Sequence, residues 1–156
     1  MANKISHIIL FLLLGVSYGH ATPITLCPDC EERDFAQAYE KLLDCDTLLI
    51  KGGEYILPNF SIKKSITIIG IGFPTLISKN GNEILTVEAN DVTIKGLCFK
   101  GVKTSYLKEH SAIRIVEKKN FLITENKIDS CFFGIYLQHA KQGTVSNNLI
   151  IGNATT

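Results

Sequence analysis

The sequence predicts an all-β protein, a right-handed parallel β-helix, on three observations: a repeat of 22 residues, strand-like alternation within each repeat, and an Asn at the same place in successive repeats. The segment 121–128 recurs at 143–150, and the segment 112–115 recurs at 134–137. A fixed period of this kind is typical of a solenoid, in which each coil buries its apolar side chains only by stacking on its neighbours.

The first 21 residues have the three parts of a secretory signal peptide. Lys4 supplies the positive end, an apolar run covers 8–16, and Gly19 and Ala21 are the small residues that a cleavage site needs. The apolar run is shorter than the roughly 20 residues of a membrane-spanning helix. We therefore expect residues 1–21 to be a signal peptide, cleaved after Ala21 on export.

We assign residues 22–57 to an N-terminal cap, which consists of a short helix and a first strand. Asp34 can cap this helix, whose apolar residues follow helical spacing, and the strand at 46–51 leads into a Gly turn. A solenoid needs a cover on its terminal coil, because the open edge would otherwise recruit another chain. The apolar residues of the predicted helix are Phe35, Ala38, Tyr39, Leu42 and Leu43.

Residues 58–156 are assigned to the coils, each with two short strands. Parallel strands of successive coils lie about 4.8 Å apart, so equivalent apolar residues form interior columns. A sharp turn follows the second strand, where Asn126 under Asn148 is expected to form a structural ladder of side-chain amides. The expected columns are Ile94, Ile123 and Val145, and Leu85, Ile113 and Ile135.

The coils differ in length, and the excess falls in two segments that we interpret as insertions, 73–82 and 102–110. The chain stops one turn into the last coil. We therefore expect it to be an N-terminal piece of a longer solenoid, marginally stable and prone to associate end to end.

A leucine-rich repeat is the alternative fold, because its pattern L-x-L-x-x-N-x-L superimposes on 121–128. Two features favour the β-helix. Ile and Val together outnumber Leu between residues 84 and 153, and the second half of each coil alternates like a strand.

Composition and charge limit the kinds of partner that the chain can attract. The chain has 156 residues, of which 46% are hydrophobic and 20% charged, which suits one domain with a real core. Of its 16 Lys and Arg, Lys4 belongs to the expected signal, so 15 remain against 15 Asp and Glu. A balanced charge gives no long-range attraction to nucleic acid or to an anionic membrane.

The order of the segments resembles the NosD family. The motifs that carry the resemblance are D-T-L-L-I-K-G-G-E-Y at 46–55, S-I-T-I-I-G at 65–70 and N-D-V-T-I-K-G-L at 90–97. The resemblance implies a pectin-lyase-like β-helix in the periplasm with a copper-linked accessory role. Beside a membrane ABC transporter, such a protein helps to build the copper site of nitrous oxide reductase.

Cys27-Pro28-Asp29-Cys30 is the sharpest local motif. Two thiolates at this spacing suit a soft ion such as Cu(I). The alternative is a disulfide, either between Cys27 and Cys30 or with Cys45, and we favour a disulfide. A zinc site would need a second pair of ligands at comparable spacing, and the sequence has none.

Other candidate ligands are weaker. His139 follows Glu117 by 22 residues and should lie one coil above it, as a metal ligand or, more simply, in a solvated ion pair. His110 falls in an insertion, where we expect loop surface. Cys98 is expected to point outward and Cys131 to lie near a turn, each without a visible partner.

The same register predicts an outward row of Thr86, Arg114 and Tyr136, which could contact a polysaccharide but which we interpret as ordinary sheet surface. A polysaccharide-cleaving enzyme is the alternative function, and a structural surface solenoid is a third. Hydrolysis needs converging carboxylates, whereas Asp91, Asp129 and Glu125 fall in different columns. We therefore predict no catalytic residues and no cofactor other than copper.

Overall fold

The computed structural model describes residues 23–153, so the predicted signal peptide at 1–21 lies outside the described residues. No helix in this part of the chain is long and apolar enough to cross a membrane. The described elements are one helix and fifteen strands: β1 Ile24–Leu26, α1 Phe35–Glu40, β2 Thr47–Lys51, β3 Glu54–Leu57, β4 Phe60–Ile62, β5 Thr67–Ile71, β6 Thr75–Ser78, β7 Leu85–Val87, β8 Thr93–Lys95, β9 Cys98–Lys100, β10 Ser111–Val116, β11 Leu122–Thr124, β12 Lys127–Cys131, β13 Phe133–Gln138, β14 Thr144–Ser146 and β15 Leu149–Asn153.

The strands form three parallel sheets that the chain visits in turn. The first sheet has the order β1-β2-β5-β8-β11-β14, the second β3-β6-β9-β12-β15, and the third β4-β7-β10-β13. This arrangement confirms the parallel β-helix with a short N-terminal helix, and it excludes the leucine-rich repeat.

Each complete coil has three strands, so the prediction of two strands per coil is wrong. The second-sheet strand follows the first-sheet strand after only two or three residues, such as Gly96 and Leu97 between β8 and β9. The first of the two corner residues has a left-handed backbone, with φ of 71° at Gly96, 56° at Glu125 and 54° at Asn147. A corner this short lacks a cluster of turn residues, so the two strands look like one segment in the sequence.

Both predicted interior columns are confirmed. Ile123 lies opposite Ile94 and Val145 in the first sheet, and Ile113 lies opposite Leu85 and Ile135 in the third. β-Branched residues fit these columns because the pleat holds each side chain directly above its equivalent in the coil below.

The amide ladder at the corner between the first and second sheets is also confirmed. The Asn126 side chain, which is buried, accepts from the Leu97 amide at 3.1 Å and donates to the Ile94 carbonyl and to Asn148 Oδ1, each at 3.0 Å. Asn148 repeats the pattern one coil further on by donating to the Ile123 carbonyl at 2.8 Å. The ladder satisfies backbone groups that the corner leaves without a strand partner.

The N-terminal end differs from the other coils. Strand β1, which the sequence did not predict, is the edge of the first sheet, with Ile24 opposite Leu48. The Cys27–Cys30 loop and α1 then follow where second-sheet and third-sheet strands would come in a regular coil. Strands β2 and β3 already pair in register with the next coil, so the stacking extends into the segment assigned to the cap.

Helix α1 covers the open edge of the third sheet. The Asp34 side chain caps it by accepting from the Gln37 amide at 2.9 Å. The rings of Phe35 and Tyr39 each contact Phe60, the first residue of β4, at 4.9 Å between ring centroids. The expected contribution of Leu43 is wrong, because the helix ends at Glu40 and Leu43 is 73% exposed.

Only one of the two predicted insertions is a loop without a strand. Residues 101–110 form no strand and connect β9 to β10 as a loop. The segment 73–82, in contrast, contains β6, which pairs with both β3 and β9. Its Gly, Asn and Pro residues lie on either side of the strand, at Pro74, Asn80, Gly81 and Asn82, and this turn-like composition is why the sequence did not predict the strand.

Candidate functional site

Cys27 and Cys30 form a disulfide in the loop that follows β1. Pro28 within this loop lies against Gly53, just before β3, so the loop covers the end of the second sheet. Cys45 is an exposed free thiol that precedes β2, whereas Cys27 follows β1, and the two strands are parallel. Cys45 is therefore at the opposite end of the strand pair, which explains why the Cys27–Cys30 alternative is formed.

His139 lies next to Glu117 in the neighbouring coil, as the 22-residue spacing predicts. The two exposed side chains line one open groove at the corner after the third sheet, but they form neither a hydrogen bond nor an ion pair in the described structure. Lys118, Lys119 and Lys141 line the same groove. These three lysines make the groove basic, which disfavours a metal cation, so His139 is a weak candidate for a metal ligand.

A polar cluster lies at the edge of the third sheet, where loop 101–110 joins β10. Glu83 is 9% exposed, and its Oε2 is 2.9 Å from Nδ1 of His110. Its Oε1 is 3.9 Å from Nη1 of Arg114. The expectation that His110 is loop surface is wrong, because its side chain is only 13% exposed and bound to this carboxylate. Burial of Glu83 is tolerated because two cationic or proton-donating groups face it.

The predicted outward row continues from this cluster across the third sheet. Arg114 lies opposite Thr86 and Tyr136, as predicted, and its guanidinium stacks over the Tyr136 ring at 4.8 Å from the centroid. Thr86 in turn donates to Oδ1 of Asn59 at 2.9 Å. A groove of about 430 Å³ runs between this row and the loop, and Glu83, Arg114, Thr86 and Asn59 line it.

A family model matches residues 53–156, described as the periplasmic copper-binding protein NosD. The chain belongs to the NosD family. The match starts just before β3 and covers all the coils from there on, which includes the motifs at 65–70 and 90–97 and only the end of the motif at 46–55. No curated protein and no solved structure matches the chain.

Membership of the NosD family implies copper, but the donors that the structure describes do not fit a copper ion. The sulfur atoms of Cys27 and Cys30 are bonded to each other and offer no thiolate. Among residues 23–153, no three His, Cys, Asp or Glu side chains come together as a metal site.

The two other free cysteines do not change this conclusion. Cys98 lies opposite Lys127, as predicted, and it alternates with the interior residue Phe99, which agrees with an outward direction, but it is nevertheless buried. Cys131 lies opposite Asn153 at the end of β12 and is also buried. Burial raises the pKa of the Cys131 thiol to about 11, so this thiol is protonated at neutral pH and is a poor ligand.

Sequence reasoning found the row of Thr86, Arg114 and Tyr136 but missed the Glu83–His110 pair beside it. These two residues are 27 positions apart, and His110 is the last residue of an insertion, so the 22-residue period does not align them. The strand alternation gave no signal for the pair, because Glu83 lies before β7 and its carboxylate lines the same outer groove as Arg114.

Proposed function

We propose that this protein is a periplasmic accessory protein of the NosD type, which aids maturation of the copper site of nitrous oxide reductase together with a membrane ABC transporter. The observation that carries the proposal is the family match over residues 53–156, which covers the stacked coils. The reductase and the transporter are the partners, and the protein acts on them from the periplasmic side.

The geometry supports a protein that works by contact with its partners. A solenoid presents flat sheets on which equivalent side chains repeat from coil to coil, which suits a broad binding surface. The carboxylates Asp91, Glu125 and Asp129 belong to different parts of a coil, and Asp129 faces Lys100 at 3.7 Å. We accordingly assign the protein no catalysis of its own.

Export by a signal peptide at residues 1–21 is part of the same proposal. A disulfide between Cys27 and Cys30 persists in an oxidising compartment such as the bacterial periplasm and is rare in the cytosol. The pair therefore agrees with a periplasmic location.

We propose that a dithiol reductant opens the Cys27–Cys30 disulfide by exchange, itself becoming the oxidised partner, and that the two thiolates so released bind copper, because thiolates are soft ligands of the kind that Cu(I) prefers. His139 is kept as a weaker candidate. The test is a titration of the purified protein with Cu(I) against a competing chelator, before and after reduction. Cys45 provides a matched control, because it is a free, exposed thiol away from the pair.

We expect Cu(I) to stay with the chelator when the protein is oxidised, and the reduced protein to take up about one Cu(I) per chain. The Cys27→Ser/Cys30→Ser variant should lose this uptake, whereas Cys45→Ser should keep it. The assignment would be wrong if the reduced protein bound no Cu(I), or if the double variant bound it as well as the parent protein does. Binding or cleavage of a polysaccharide without any Cu(I) uptake would instead favour the alternative function.

A further inference from the structure

Loop 101–110 carries the two most exposed large apolar side chains among residues 23–153. Tyr106 is 91% exposed and Leu107 is 94% exposed, whereas the next in order, Leu43, is 73% exposed. The loop has ten residues between β9 and β10, but the equivalent connection in the following coil is Phe132 alone. The loop therefore stands out from the coil beside it, with Tyr106 and Leu107 at its tip.

Both ends of this loop are fixed to neighbouring coils. At its start, the Lys103 amide donates to the Gly81 carbonyl at 2.9 Å. At its end, Nδ1 of His110 lies 2.9 Å from Oε2 of Glu83, and the His110 carbonyl accepts from the Phe133 amide at 3.2 Å. Because the ends are already ordered, the loop loses less conformational entropy when its tip binds a partner.

The backbone at the tip is partly satisfied from within. Oγ of Ser105 accepts from the Leu107 amide at 3.3 Å and from the Lys108 amide at 3.1 Å. The Lys108 carbonyl accepts from the His110 amide at 3.0 Å. A protein partner could supply such hydrogen bonds itself, whereas the hydrocarbon of a bilayer cannot, and an unpaired N–H group is costly there. Internal hydrogen bonds at the tip therefore favour a lipid bilayer as the partner.

Lysines on either side of the tip add a preference for an anionic surface. Lys103 and Lys108 are exposed, and neither forms an ion pair in the described structure. Near a membrane, lysine is attracted to anionic lipids, and its long stem keeps the ammonium group at the level of the headgroups. Tyrosine is enriched at the same level. Glu109 offsets part of this charge, and the chain is nearly balanced overall, so the attraction acts only at short range.

We propose that loop 101–110 binds the surface of an anionic lipid bilayer. Leu107 enters below the headgroups, Tyr106 lies among them, and Lys103 and Lys108 contact their phosphates. The loop lies at the corner between the second and third sheets, so the solenoid is held by that corner and its first sheet faces away from the bilayer. This contact does not depend on the copper-related role.

The test uses tryptophan fluorescence, because the chain contains no Trp. Tyr106→Trp places a single reporter at the tip, and Leu43→Trp places one at an exposed position between α1 and β2 as the matched control. Each chain is purified after export, so that the predicted signal peptide does not itself bind lipid. The vesicles consist of equal parts of phosphatidylethanolamine and phosphatidylglycerol, and vesicles of phosphatidylcholine alone are the neutral reference.

We expect the emission of Tyr106→Trp to move to shorter wavelength as anionic vesicles are added, because the indole leaves water. Half of the change should occur at about 1 mM lipid, which is weaker binding than a single myristoyl chain gives. Binding to neutral vesicles should be about fivefold weaker. The emission of Leu43→Trp should not move. An unchanged emission of Tyr106→Trp with anionic vesicles would overturn the proposal, and so would an equal shift for Leu43→Trp.

Co-sedimentation with vesicles separates the contribution of the apolar tip from that of the lysines. Tyr106→Ser/Leu107→Ser should weaken binding to anionic vesicles by at least about tenfold. Lys103→Gln/Lys108→Gln should weaken it by about fivefold, and should hardly affect binding to neutral vesicles. Leu43→Ser, the matched loss of an exposed apolar side chain, should change it by less than about twofold. All these side chains are exposed, and far-ultraviolet circular dichroism shows that each variant is folded.

Equal binding of the parent protein and Tyr106→Ser/Leu107→Ser would contradict the proposal, because the protein would then attach without its tip. A parent protein that does not sediment with anionic vesicles would also contradict it, and the exposed tip would then be a contact for a protein instead.

Discussion

The first and last coils that the structure describes use the same kinds of residues at the same register, but only the first buries them. Leu48 and Ile50 of β2 are fully buried. Val145 of β14 and Ile150 of β15 are 44% and 55% exposed, although they continue the same interior columns. The burial of a coil is therefore determined by what lies on both sides of it rather than by its own sequence.

The cause of the difference is visible at the N-terminal end. Strand β1 extends the first sheet, the Cys27–Cys30 loop lies over the second, and α1 lies over the third. Beyond β14 and β15, the described part of the chain places no strand or helix on the interior columns. Three different local structures thus give the first coil the cover that each interior coil receives from its neighbours.

Replacing an isoleucine of one interior column by alanine should lower the free energy of unfolding by very different amounts in two adjacent coils. Ile128 is 1% exposed and lies directly opposite Ile150, which is 55% exposed. We expect Ile128→Ala to lower the free energy of unfolding by about 3 kcal/mol, because it leaves a cavity. Ile150→Ala should cost less than about 1 kcal/mol. Urea denaturation of both variants measures the difference, and equal losses would show that Ile150 is as buried as Ile128.

The amide ladder allows the same comparison for a polar residue. Asn126→Ala would leave the buried Leu97 amide and Ile94 carbonyl without their side-chain partners, at a cost of about 2 to 3 kcal/mol. Asn148→Ala affects a half-buried position, so it should cost about 1 kcal/mol. Chemical denaturation monitored by far-ultraviolet circular dichroism provides the values. A larger loss of stability from Asn148→Ala than from Asn126→Ala would contradict a gradient of burial from Asn126 to Asn148.

Removing the Cys27–Cys30 disulfide tests how much the loop that covers the second sheet contributes to stability. Because the disulfide closes a loop of only four residues, loop-closure entropy predicts a contribution of about 2 kcal/mol to the free energy of unfolding. The Cys27→Ser/Cys30→Ser variant should unfold at correspondingly lower denaturant, and reductant should shift the parent protein by the same amount. If reductant shifted the double variant equally, the effect would come from other cysteines and not from this loop.

The smallest effect is expected at the helix. Asp34→Ala removes the acceptor for the Gln37 amide and should cost about 1 kcal/mol. Asp34→Asn keeps an oxygen acceptor at the cap and should be nearly neutral. Thermal unfolding of the two variants separates the capping bond from any other role of this residue. Equal stability of Asp34→Ala and the parent protein would mean that α1 does not depend on its cap.

The fold was largely predictable because the repeat imposes register. Once Ile94, Ile123 and Val145 are aligned, the parallel pairing and the interior face follow from the two-residue period of a strand. The third strand of each coil was not predictable from that period, because a single left-handed corner residue does not interrupt the alternation. Strand β6 was missed for the opposite reason, since the turn residues around it outweighed its four strand residues.

The candidate sites were less predictable, because contacts across an insertion have no period. The row of Thr86, Arg114 and Tyr136 followed from register, whereas the Glu83–His110 pair depends on how loop 101–110 folds back. The Cys-x-x-Cys motif was located in the sequence, but its disulfide and the position of Cys45 at the far end of β2 depend on β1, which the sequence did not predict.

The copper content of nitrous oxide reductase tests the proposed function most directly. The reductase would be purified from cells that make it and its ABC transporter, with this protein present, absent, or restored from a plasmid, and its copper measured per mole of enzyme. The proposal predicts that the reductase made without this protein contains far less copper at an unchanged amount of enzyme, and that restoring the protein restores the copper. A reductase with its full copper content in the absence of this protein would contradict the proposal.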